Sequence, residues 1–255
     1  MNSSKKFIIL LLAFSSLLIS AGHILNLNYN SPIKHRSQYI AYAYNTLKYG
    51  VYSHNRSENP KSNNRREPMY PITLMIGIML HPGIDLSVHN AKCISQGRNN
   101  CIELVTYLKI INIIFLMLSA LISAYFFYRY TGKKWVLVIC FLLISLSGQL
   151  GRFTGTFYTE TLAALLLIAL SFLLYELVEK GFTKRRAFTA GLSLGALALT
   201  KAVYLYFLYL NCILLFVLWI YQKKGMIKSI PIHFLYFIYC SLTFVIVWLR
   251  YKMNI

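Results

Sequence analysis

Apolar positions in this chain come in long unbroken runs. Residues 7–25, 104–128, 135–150, 157–177, 203–221 and 231–249 each reach or approach the roughly 20 mostly apolar residues that a bilayer span requires. A shorter run, 187–200, ends at Thr200-Lys201. The pattern predicts an all-α, polytopic membrane protein with about seven transmembrane helices, residues 1–255 forming a single membrane domain. The first two runs are separated by a long polar segment. In its 37–48 portion Tyr39, Ala43, Thr46 and Leu47 share one helical face with Tyr42 nearby, which predicts an amphipathic helix lying on the membrane. Gly50 is placed to end it. Residues 54–67 are polar and turn-rich. Pro68 and Pro71 then frame Met69-Tyr70, and the run ITLMIGIML stops at His81-Pro82-Gly83, too short to span, predicting a second interfacial or re-entrant helix.

Composition agrees with lipid as the solvent. Apolar residues make up 57% of the 255, mean hydropathy is +0.55, and charged residues are only 13%, against about 25% in soluble domains. The first run also reads as a signal peptide, with Lys5 and Lys6 before the apolar stretch and Ala21-Gly22 near a cleavage position. Cleavage and retention are both compatible with this pattern, and either one exports the chain beyond it.

Short-loop lysines and arginines set the orientation. Lys5 and Lys6, then Arg129, Lys133 and Lys134, then Lys180, Lys184, Arg185 and Arg186, then Lys223, Lys224 and Lys228 fall on one side, expected to be cytoplasmic. Arg152, Lys201, Arg250 and Lys252 fall on the other, as does the long loop 29–103. The net charge of +19 is spread over both sides of the membrane, which argues against nucleic acid as a partner. In the outer loop Lys34, Arg36, Lys48, Arg56, Lys61, Arg65, Arg66, Lys92 and Arg98 outnumber the carboxylates, Glu58, Glu67 and Asp85 among them. That excess suits a phosphate-bearing partner at the membrane surface, and equally a solvated loop touching lipid head groups.

The cysteines form no metal pattern. Cys140, Cys212 and Cys240 lie in apolar runs as small packing residues. Cys93 and Cys101 lie together in the exported loop, at a spacing that permits a disulfide.

The order of features resembles the C-type membrane glycosyltransferases, nearest to the family of protein O-mannosyltransferases and bacterial aminoarabinose transferases. An N-terminal span is followed by YIAYAYNTLKYGVYS, an arginine-rich turn into REPMYP, the span TFYTETLAALLLIAL, then GLSLGALALTK, and a final span ending VWLR. The resemblance covers most of this chain and matches the N-terminal part of the family. It implies a polyprenyl-phosphate sugar donor in the membrane, an exported acceptor and a bacterial inner-membrane location, and it leaves a divalent metal open. It implies Glu160 as the catalytic acid, and Arg65, Arg66, Arg152 and Lys201 as candidates for the donor phosphate. Tyr39, Tyr70 and Pro71 fall on the aromatic and structural positions of the outer loop. Local chemistry gives two of these a plainer alternative: a helix N-terminal glutamate for Glu160, and a snorkelling interfacial lysine for Lys201. Gly191, Gly195 and Ala198 suit close helix packing.

Two departures weigh on activity. The family's first-loop acid is missing: Lys34, His35, Arg36, Ser37 and Gln38 stand there, and no carboxylate precedes Glu58. His35 reads either as a substitute base or as a surface residue. The chain also stops near the family's mid-point, so a truncated, inactive product or a subunit completed by a partner is expected. The rival readings are a non-catalytic membrane assembly subunit and a transporter component, the latter lacking the repeat symmetry that transporters show.

Overall fold

A computed structural model describes residues 12, 15–24, 38–57, 59–63, 66–82, 93, 101–180, 183–207, 209–210 and 213. Among these the architecture is helical, with no strand. The helices are α1 (Ser15–Ile24), α2 (Gln38–Tyr49), α3 (Met69–Met79), α4 (Ile102–Thr131), α5 (Lys134–Ser145), α6 (Gly148–Thr154), α7 (Glu160–Lys180) and α8 (Lys184–Thr200). The chain divides into two compact units: residues 1–63 with 71–165, and residues 64–70 with 166–255.

In the first unit α4 is the central post. It is long because nothing in Ile102–Thr131 interrupts its backbone ladder, and it ends where Gly132 takes φ +69° and returns its N–H to the Tyr128 carbonyl at 2.8 Å. Ile114, Leu118, Leu121 and Tyr125 form an exposed apolar stripe along it. Ile113, Leu116, Met117, Ala120 and Ala124 form the buried one. A helix apolar on both its exposed and its buried faces fits lipid on one side and protein on the other. The buried stripe packs on Phe141 of α5, with Leu12, Ile19 and Ile24 of the N-terminal segment and Leu150 of α6 closing the core.

α5 and α6 are one apolar run bent by 54°. Ser145 Oγ turns back onto the Phe141 carbonyl at 2.7 Å, and Ser147 begins α6 as its N-cap, accepting from the Leu150 N–H. A break of this kind frees carbonyls that lipid cannot satisfy. His23 of α1 donates Nε2–H to the Ser145 carbonyl at 3.1 Å. A carbonyl only accepts, so the neutral ring is fixed in its Nε2–H tautomer. Gly151 makes room for it, since a Cβ there would lie 3.0 Å from His23 Cε1.

Among the described residues two helices are long and apolar enough to cross a membrane, Ile102–Thr131 and Glu160–Leu177, or three if the bent pair Lys134–Ser145 and Gly148–Thr154 is one span. The expected seven spans are therefore not supported. The run 187–200 belongs to α8, whose 17 residues begin with Lys184, Arg185 and Arg186. Part of 7–25, most of 203–221 and all of 231–249 lie outside the described residues.

The outer-loop helices differ from the expectation in one respect. α2 ends at Gly50 (φ +65°), whose N–H returns to the Thr46 carbonyl at 3.1 Å. Its first half is covered on every side, however: Tyr39 through Asn45 are buried in succession. An interfacial helix would expose one side of this segment, so its tyrosines serve as packing residues here. α3 is a short helix of 11 residues that includes Pro71 in its first turn, where a missing N–H costs nothing. It packs against α4 at Gly77, where a Cβ would lie 3.0 Å from Leu108 Cδ2 and nearer still to Ile111 Cδ1.

In the second unit α8 starts at Thr183, whose hydroxyl accepts from the Arg186 N–H at 3.3 Å. Its small residues Ala187, Ala190, Gly191, Gly195 and Ala198 are all buried, in keeping with close helix packing.

Candidate functional site

Several buried polar groups of the first unit, Asn112, Thr159 and Thr161 among them, collect where α4, the loop before α7 and the first turn of α7 meet. Asn112, fully buried on α4, donates Nδ2–H to the Thr156 carbonyl at 2.9 Å. Its Oδ1 accepts from the Thr161 hydroxyl at 3.2 Å. The two bonds use both ends of the amide, so its orientation is determined. They tie the 155–159 loop and α7 to α4, and thereby fix where α7 begins.

Glu160 is the first residue of α7 and is half-buried. The preceding Thr159, 2% exposed, gives its carbonyl to the Ala163 N–H at 2.8 Å and starts the helix. A carboxylate in this first turn sits at the positive end of the helix dipole. On α4, one turn before Asn112 and on the same buried stripe, stands Lys109, only 2% exposed. A lysine and an asparagine three residues apart inside an apolar run are costly residues to place in a membrane helix, and such residues mark function more often than packing. Both were legible as the K-x-x-N interruption of LVTYLKIINIIFLML, and sequence reasoning passed over them.

The other expected site residues are dispersed. Arg152 lies on α6, exposed, and makes no ion pair among the described residues. Lys201 follows α8 in extended conformation (φ −148°, ψ 130°), its N–H on the Leu197 carbonyl. Arg66 is exposed, and Arg65 lies outside the described residues. Tyr39 is 8% exposed, Tyr70 is fully buried and Pro71 is buried, which makes all three packing residues. Arg66, Tyr70 and Lys201 belong to the second unit; Glu160, Arg152, Tyr39 and Pro71 belong to the first. Cys93 and Cys101 are joined in a disulfide that closes onto the N-cap of α4. Among the described residues no three His, Cys, Asp or Glu side chains gather into a metal-binding group.

A second polar feature lies on the loop after α2. Tyr42 stacks on Tyr52 (ring centroids 4.2 Å) and its hydroxyl meets His54 Nδ1 at 3.2 Å. Asn45, fully buried, donates to the carbonyls of Ser53 (2.8 Å) and Asn55 (2.7 Å). The Asn63 N–H reaches the Tyr52 carbonyl at 3.0 Å and brings the ends of the loop together. The result is an open cleft of about 470 Å3 lined by Gln38, Ser53, His54, Asn55, Arg56, Lys61, Ser62 and Asn63.

No protein family, no curated protein and no solved structure matches this chain.

Proposed function

We propose that the chain is a multi-pass membrane protein of the glycosyltransferase kind, acting on a polyprenyl-phosphate sugar, with Glu160 as its acidic group. The observation that carries this reading is the placement of Glu160: a carboxylate at the start of an apolar helix, held there by the buried Asn112–Thr161 bond. In the proposed reaction an acceptor hydroxyl attacks the anomeric carbon. Its proton passes to the Glu160 carboxylate, and the bond to phosphate breaks to leave polyprenyl phosphate. From the sequence, Arg65, Arg66, Arg152 and Lys201 are each a separate candidate for a leaving phosphate, whose charge grows as that bond breaks.

A specific observation favours a second reading, a non-catalytic protein that binds the donor lipid without turning it over. α2 has no acidic residue in its first turn, and the chain before Glu58 has none at all. Donor binding and transfer separate the two. Purified full-length protein in nanodiscs is given a radiolabelled polyprenyl-phosphate sugar, and both retention and release of sugar to an acceptor are followed. Transfer that falls about 100-fold or more in Glu160→Gln supports the enzyme. Binding without transfer supports the second reading. Loss of both, in protein that binds no polyprenyl phosphate, overturns the proposal.

A further inference from the structure

We infer that the cleft after α2 is a binding site for a phosphate-bearing, hydroxylated head group, distinct from the cations assigned above to the donor phosphate. Three observations lead there. The cleft is donor-rich: the Arg56 guanidinium, the Lys61 ammonium, the amides of Gln38, Asn55 and Asn63 and the Ser62 hydroxyl line it, and among the described residues no lining side chain is a carboxylate. The carbonyls of Ser53 and Asn55, which would have opposed an anion, are already taken by Asn45. The walls are built rather than loose. Asn45 holds one strand of the loop from inside, Tyr42 holds Tyr52 and His54, and the Asn63–Tyr52 bond closes the base.

The chemistry of the ligand follows from the lining. An arginine fork and a lysine point charge recognise phosphate oxygens in complementary ways. Side-chain amides and a hydroxyl suit the vicinal hydroxyls of a sugar or glycerol. At about 470 Å3 the cleft falls in the size range of small-molecule sites, about 300–1,000 Å3. The segment between Arg56 and Lys61 carries one carboxylate, Glu58, which lies outside the described residues, and the sequence from 54 to 63 remains net positive with it counted. This site is independent of the glycosyltransferase reading, because it concerns binding by residues to which that reading gives no role.

The test uses full-length protein in phosphatidylcholine nanodiscs and two soluble probes, glucose 1-phosphate and glucose. The expected result is saturable binding of glucose 1-phosphate, at least tenfold weaker binding of glucose, and at least a tenfold loss of affinity in the double variant Arg56→Gln/Lys61→Gln. Both residues are exposed and stand outside the Asn45 and Tyr42 contacts, and the thermal midpoint is measured alongside to show that the double variant is folded. The variant Arg185→Gln, an exposed cation to which no phosphate role is assigned, is expected to bind glucose 1-phosphate like the parent. Repeating the titration in phosphatidylglycerol nanodiscs identifies the source. Competition by the lipid assigns the cleft to a membrane head group, and unchanged binding assigns it to a soluble phosphosugar. Equal affinity for glucose and glucose 1-phosphate, or an Arg56/Lys61 double variant that binds as tightly as the parent, would overturn the inference.

Discussion

The hydroxyl of Thr161 on α7 donates to Asn112 Oδ1 on α4, across 3.2 Å of otherwise apolar surroundings. The contact joins helices 49 residues apart in sequence, and with the Asn112–Thr156 bond it fixes the entry into α7. Removing one partner orphans the other, at about 1–3 kcal/mol for each buried group left unsatisfied. Asn112→Leu and Thr161→Val are each expected to lower the thermal midpoint in detergent. The double variant should lose less than the two single losses together, because no orphan remains between the pair. Strict additivity in the melting curves would show that the bond contributes nothing.

His23 serves a carbonyl that has few other donors within reach. His23→Phe retains a ring but removes the donor to the Ser145 carbonyl. The carbonyl lies at a helix break inside an apolar core, where water is a poor substitute, so a loss of about 1–3 kcal/mol is expected. Gly151→Val should do comparable damage by displacing the same ring, since even a Cβ reaches 3.0 Å from His23 Cε1. Combining Gly151→Val with His23→Ala should recover part of the loss, as read by the melting midpoint.

The end of α2 carries a pH signature. Burial raises the Tyr44 phenol above its ordinary range, against the opposing pull of Lys48. Lys48 donates to the Tyr44 oxygen, and that hydrogen bond raises Lys48 in turn, with its ammonium also 5.4 Å from the Tyr44 ring centre. Both groups are raised on folding, so the sign is the same for both. Their contribution is complete below the unfolded values, 10.0 for tyrosine and 10.5 for lysine, and is lost as pH rises through the higher folded values. Stability should therefore be flat in this respect at neutral pH and fall on the alkaline side. In a spectrophotometric titration, Tyr44→Phe should remove one late-ionising phenol. A titration curve that loses instead a phenol of ordinary range would contradict the assignment.

Orientation is tested by single cysteines introduced at Asn63 and Lys184 in intact cells. The basic residues at 129–134 and 180–186 predict the first outside and the second in the cytoplasm. A membrane-impermeant maleimide should label only Asn63→Cys. Labelling of both from the same side would reject the arrangement.

Much of the helical punctuation was legible in the sequence. Gly50 marks the end of α2 because it adopts φ +65°, a conformation that β-carbon-bearing residues avoid. The Pro68–Pro71 pair marks the start of α3, and the runs 104–128 and 157–177 correspond to α4 and α7. Glu160 was legible as a charge at the edge of an apolar run, and the structure places it in the first turn of α7. Three features were hidden for physical reasons. The break between α5 and α6 falls within a continuously apolar run, and hydropathy is blind to backbone direction; only the Ser145-Leu146-Ser147-Gly148 composition hints at it. The burial of Tyr39 through Asn45 depends on what surrounds the helix, whereas periodicity reports only an average over its faces. The run 187–200 has the hydropathy of a span, but its small residues are accounted for by packing against protein.

The His23–Ser145 contact also bears on the order of biogenesis. A chain inserted amino terminus first delivers α1 to the bilayer before α5 and α6 are synthesised, so the group that satisfies the carbonyl at the break is already in place when the break arrives. Supplying residues 1–30 as a separate polypeptide, or deleting them, would leave α5 and α6 to enter lipid with an exposed carbonyl. The bent pair would then meet lipid with that carbonyl unsatisfied, so the amino-terminal segment is expected to matter to the insertion of a helix more than a hundred residues downstream.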